Sequence, residues 1–170
     1  MLKFILIAAV ATSSWSVPAS AQTTPPAPAA AAATPVDDAM KALVTAMDKF
    51  NGGDVKAWLS SQADDTLIVD EFAPHVWTGS GSARRWLDAY MKDSQANGVT
   101  SPRVDYGKAL QATSDGTTAY IVLPTTYRFV QKGAKMAEPG SMTFVMKKAG
   151  KDWKITSWTY SAAGAPAPEK

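Results

Sequence analysis

One carboxylate stands apart in this sequence. Asp70 ends the β-rich apolar run Thr66-Leu67-Ile68-Val69, which places it at the end of a strand expected to be buried. A carboxylate withdrawn from water there holds its proton more tightly than usual, which suits a general base. His75, the single histidine, follows five residues later and is assigned with Asp70 to the mouth of a pocket. Aromatic residues form a second group. Trp77, Tyr90, Tyr120, Tyr127 and Trp158 are assigned to the wall of a cavity for a flat apolar ligand, and Tyr90, Tyr120 or Tyr127 would offer a hydroxyl donor there. Trp58, Trp86 and Trp153, on inner faces or at a strand start, read as core packing. Arg84 and Arg85 read as a solvated helix face.

Other chemistries are excluded or disfavoured. The chain has no cysteine, so disulfides, thiol catalysis and thiolate metal sites are absent. A zinc site needs three or four ligands, mostly nitrogen or sulfur, and one histidine does not supply them. No metal and no cofactor is expected. Seventeen basic residues face fifteen acidic ones, scattered rather than in runs, so nothing points to nucleic acid.

The elements that must position these residues follow from periodicity. Thr34, Pro35 and Asp37 form a helix start of capping-box type, and Met40, Leu43, Val44, Met47 and Phe50 recur at helical spacing. Asn51-Gly52-Gly53 stops that helix and Asp54 caps a second, with Val55, Trp58 and Leu59 on its inner face. The run to Asp70 is a strand, and His75-Val76-Trp77 a short one. After Gly79 and Gly81, a third helix carries Ala83, Trp86, Leu87, Tyr90 and Met91 on one face and ends at Asn97-Gly98. Four strands remain. Arg103 to Thr113 alternates, and Asp115-Gly116 turns into a long strand from Thr117 to Gln131. Pro124 within it implies an edge or a bulge. Met142, Phe144 and Met146 alternate in the next strand, and Lys151 to Tyr160 is the last. The order predicts an α+β domain: a cone-shaped, curved antiparallel sheet with three helices from the N-terminal half packed on its concave side.

The chain ends differ in composition. Residues 1–21 read as a secretory signal peptide, with a basic start at Lys3, an apolar core from Phe4 to Val10 and a small-residue cleavage site at Ala19-Ser20-Ala21. Residues 22–35 are a Pro/Ala-rich linker, 36–161 the folded domain and 162–170 a disordered tail. The expected location is the periplasm or the exterior, after cleavage near Ala21. No later segment is apolar enough to span a bilayer, and a lipid anchor would need a cysteine, so no stable membrane anchor is expected.

From Val36 to Tyr160 the order of elements resembles the nuclear transport factor 2-like superfamily, in its SnoaL-like and ketosteroid isomerase branch. The most specific residues are Asn51-Gly52-Gly53-Asp54, followed without a gap by Ala63-Asp64-Asp65 and Asp70. Gly79-Ser80-Gly81 and Trp153-Lys154-Ile155 also fit. The resemblance implies that Asp70 stands where the isomerases carry their catalytic aspartate. Their oxyanion hole uses a tyrosine and a protonated aspartic acid. Those positions fall here on Ala46 and near Met142, neither of which donates a hydrogen bond. Three functions are therefore open: binding of a small apolar or aromatic ligand in the cone, a cofactor-independent isomerase or lyase with Asp70 as base, or assembly as a homodimer through the outer face of the sheet. The missing donors put binding first.

Overall fold

A computed structural model describes residues 34–169, so the expected leader and most of the linker lie outside the described residues. Helix α1 (Pro35–Asn51) begins as expected, with the Thr34 hydroxyl accepting from the Asp37 N–H and the Asp37 carboxylate accepting from the Thr34 N–H. Asn51 ends α1 and ties it to the sheet. Its side-chain amide exchanges two 2.9 Å hydrogen bonds with the backbone of Val104, as a strand neighbour would. Asp54 caps α2 (Val55–Ser61) by accepting from the Ala57 N–H.

Strand β1 (Gln62–Val69) pairs with the two-residue β2 (Val76–Trp77). Helix α3 (Ser82–Asn97) follows, entered at Gly81, whose N–H donates to the Asp64 backbone carbonyl. The rest is β3 (Val99–Tyr106), β4 (Gln111–Ser114), β5 (Thr118–Gln131), β6 (Ala134–Ala149), β7 (Asp152–Ala162) and β8 (Ala167–Pro168). The sheet order is β2-β1-β7-β6-β5-β3, with β4 also on β5 and β8 also on β6. The helices cover its inner face, where Leu43, Trp58, Trp86 and Leu87 meet Ile68, Ile121, Leu123, Phe144, Met146 and Ile155. This is the expected α+β cone.

Three details differ from the sequence reading. The sheet is mixed, because β1 joins the free edge of β7 in parallel. Periodicity reports faces, not partners. The fully buried Thr66 hydroxyl secures that join on the carbonyl of Ile155 at 2.8 Å. The strand expected from Arg103 to Thr113 is two strands, β3 and β4, which lie end to end along β5. At their break the Gly107 N–H donates to the Pro124 carbonyl. A residue's N–H and C=O point to the same side of a strand, so the donor that proline lacks faces this interruption. The tail expected to be disordered is ordered as far as Glu169. β8 pairs with β6, and Glu169 bonds Arg128 at 2.7 Å.

Irregularities curve the sheet. Thr156 is an extra residue on β7 opposite Val145 and Met146, and the register of β1 on β7 shifts between Gln62 and Leu67. Gly140 on β6 matters for a different reason, close approach. A Cβ there would lie 2.6 Å from the Ser161 carbonyl oxygen and about 3 Å from the Tyr160 ring. The missing side chain lets Tyr160 lie against β6 beside Glu138. Gly140→Ala is expected to destabilise the fold by about 1–3 kcal/mol in chemical denaturation; unchanged stability would show that this close approach is not needed.

Candidate functional site

Between the helices and the sheet lies a cavity of about 240 Å³. Asp70 enters it directly from the end of β1. Its Oδ1 accepts from the Glu71 N–H at 2.7 Å and its Oδ2 from the indole Nε1 of Trp86 at 2.9 Å. Burial pushes the carboxyl up to about 6, and these two hydrogen bonds restrain the rise. Among the described residues no lysine, arginine or histidine lines the cavity, and only the charge of His75, outside it, weakly favours ionised Asp70.

Trp86 is fixed by its neighbours. It stacks on Tyr90 with ring centroids 5.2 Å apart and meets Trp158 edge-on at 4.8 Å and Trp58 at 5.4 Å. The Tyr90 hydroxyl lies 2.9 Å from that of Tyr127, so one donates to the other and a single proton remains for a ligand. Burial raises both phenols.

A second acidic group stands opposite. Glu138, on β6, is buried with 3% of its surface exposed. Burial and the negative charge of Glu71 push it up to about 7, while Glu71 itself is raised by desolvation. The hydroxyl of Tyr160 donates to the Glu138 carbonyl at 3.4 Å.

The structure brings together Asp70, Tyr90, Tyr127 and Trp158 from the expected set and leaves out three residues. His75 is exposed, and its Nδ1 lies 3.2 Å from the backbone oxygen of Asp70 rather than from its carboxylate. Trp77 is buried against Phe72, with centroids 5.0 Å apart, outside the cavity lining. Tyr120 is 39% exposed on the opposite face of β5 from Ile121 and Leu123. Ala46 and Met142 both line the cavity, and neither carries a side-chain donor.

Sequence reasoning missed Glu71, Glu138 and Tyr160 as cavity residues and took Trp86 and Trp58 for packing alone. Alternation held the signal for Glu138. Counting back by twos from Met142 reaches it through Gly140. Among the described residues, no group of three or more His, Cys, Asp or Glu is arranged to hold a metal ion, and no helix is long and apolar enough to cross a membrane.

Helices over one face of a curved, open sheet, closed around a cavity with an aspartate at the end of the first strand, define the nuclear transport factor 2-like architecture. Residues 36–165 match the profile of the SnoaL-like domain, and the chain belongs to that family. No curated protein matches the sequence. A provisionally assigned aromatic ring hydroxylase of Novosphingobium aromaticivorans superposes with a TM-score of 0.63 at 16% identity, over 81% of this chain and 96% of that one. A ketosteroid isomerase-like protein of Erwinia carotovora atroseptica gives 0.59 at 16% identity, over 76% and 97%. The CaMKII hub of S. rosetta gives 0.60 at 16% identity, over 78% and 99%. At such identities the likeness is one of fold, and these proteins carry different functions on it.

The charge of Asp70 has a measurable cost. Between the ordinary carboxylate range and about 6, the folded chain keeps a proton that the unfolded chain has lost, so stability falls as pH rises through that window. Asp70→Asn removes this. Its stability relative to the wild type is expected to be more favourable at pH 8 than at pH 4 by on the order of 2–3 kcal/mol. A difference independent of pH would place Asp70 in solvent.

Proposed function

We propose that the domain is a cofactor-independent enzyme of isomerase or lyase type, which takes a small flat molecule into the cavity and uses Asp70 as general base. One observation carries this reading: an Asp70 carboxylate inside an aromatic cavity, raised to about 6 and aimed by the indole of Trp86, with no cation among the described residues that line the cavity. Such a group is ionised at neutral pH yet basic enough to take a proton from carbon beside a carbonyl. Negative charge developing on the substrate needs donors. Ala46 and Met142 offer none. The Tyr90–Tyr127 hydroxyl pair and Glu138, raised to about 7 by burial and the charge of Glu71, stand in the same cavity to serve instead. His75 has no part in this reading.

Ligand binding without turnover is the second reading, favoured by the apolar Ala46 and Met142. Pairing of two copies through the outer face, where Leu67, Val69 and Tyr120 are exposed, is compatible with both, as is export through the expected leader.

Turnover of a panel of cyclic and aromatic ketones decides between the two. For any substrate found, Asp70→Asn is expected to lower kcat by about 100-fold or more with the dissociation constant little changed, and wild-type kcat/KM to rise with pH through an apparent pKa near 6. Turnover untouched by Asp70→Asn would remove Asp70 from the chemistry.

A further inference from the structure

The charged side chains that line the cavity are all acidic. Asp70, Glu71 and Glu138 enter it, Asp93 of α3 stands at its edge, and among the described residues no basic side chain lines it. A cluster of acids alone is common on protein surfaces, but here a different kind of residue points the same way. Gln62, at the start of β1, lines the cavity with only 7% of its surface exposed, and its Oε1 has no hydrogen-bond partner. The orientation of its amide is fixed. The Ser61 hydroxyl donates its single proton to the Trp58 carbonyl at 2.6 Å and so can only accept from Gln62 Nε2 at 3.3 Å. Oε1 is thereby left as the free atom. A buried acceptor without a donor is rare enough to need an explanation, and a donor on a ligand supplies one.

The walls agree with this. Indole and phenol faces carry negative potential, and Trp58, Trp86, Tyr90 and Trp158 surround the space in tilted, stacked and edge-on pairs. An anionic ligand would meet carboxylates and ring faces, both repulsive. A neutral apolar ligand would leave Gln62 Oε1 without a donor and the carboxylates without a counter-charge. An organic ammonium group gains from all of them, since it donates hydrogen bonds, offsets buried charge and sits well on aromatic faces. The carboxylates are not arranged to hold a metal ion.

We infer that the ligand of this cavity is an organic amine bound in its protonated form, with a flat apolar body against the tryptophans and its ammonium group donating to Gln62 and the carboxylates. The inference rests on the proposal that this cavity is the functional site, and it specifies the substrate class. The groups facing Glu138 are Glu71 and Asp70 beyond β1, Tyr127 of β5 and Tyr160 of β7; none is a cation. A bound ammonium therefore favours the ionised form of Glu138 and Asp70, and binding is coupled to proton release.

Calorimetry with three probes of one shape tests this: 2-phenylethylammonium, 2-phenylethanol and phenylacetate. At about pH 8 the ammonium is expected to bind about tenfold tighter than the alcohol, with phenylacetate weakest. At about pH 5, where Glu138 and Asp70 carry protons, that preference should shrink severalfold, and the heat should vary with the ionisation enthalpy of the buffer. Glu138→Gln, which keeps the shape, should reduce ammonium binding and spare the alcohol. Equal affinity for ammonium and alcohol in the wild type, or tightest binding of phenylacetate, would overturn the inference whatever the variant does. These readings need no turnover. Loss of ammonium selectivity with Asp70-dependent turnover intact sinks this inference alone, and the reverse pattern sinks only the catalytic reading.

Discussion

The arrangement depends on one hydrogen bond made in a dry place, from the indole of Trp86 to the carboxylate of Asp70. Ionised carboxylates are costly to bury, and this one has no cation in the cavity wall among the described residues. The indole and the Glu71 N–H supply part of what water would have given, enough to keep the group ionisable and too little to return it to the ordinary range. Around that bond the rest has a purpose. Trp58, Tyr90 and Trp158 fix the indole, α3 carries it to the end of β1, and the buried Ser82 hydroxyl donates to the Thr66 carbonyl, locking α3 to the strand that ends at Asp70.

The same economy explains the far wall. Burial and the charge of Glu71 make Glu138 hold its proton more tightly, and Tyr160 can reach it because Gly140 has no side chain. The fold supplies a cone with a mouth, and superposition at 16% identity speaks for architecture and not for reaction. In this chain the charged side chains that line the cavity are all acidic, and its character follows from that imbalance.

Much of the architecture could be read from the sequence because it is local. The Thr34–Asp37 capping box, the Asn51-Gly52-Gly53-Asp54 turn and the helical spacing of α1 and α3 each declare themselves within a few residues. The position of Asp70 followed from the apolar run ahead of it. What escaped was long-range or faint. The parallel join of β1 and β7 brings together residues about ninety positions apart, and no periodicity encodes it. The first half of β6, AKMAEPGS, is polar and holds Pro139 and Gly140, so its strand character comes from pairing with β5 rather than from its own residues, and Glu138 was hidden with it. Trp86 sat correctly on an inner face, but periodicity cannot tell a filled interior from an open one. Tyr120 is the avoidable error, since its parity in β5 is opposite to that of Ile121, Leu123 and Tyr127.

The central claim is that the Asp70 carboxylate is desolvated yet able to ionise near neutrality. Carbon-13 NMR of the side-chain carboxyl, assigned by its loss in Asp70→Asn, reads this directly. The structure predicts a titration midpoint near 6. A midpoint at about 4, the ordinary value for an aspartate in water, would contradict it.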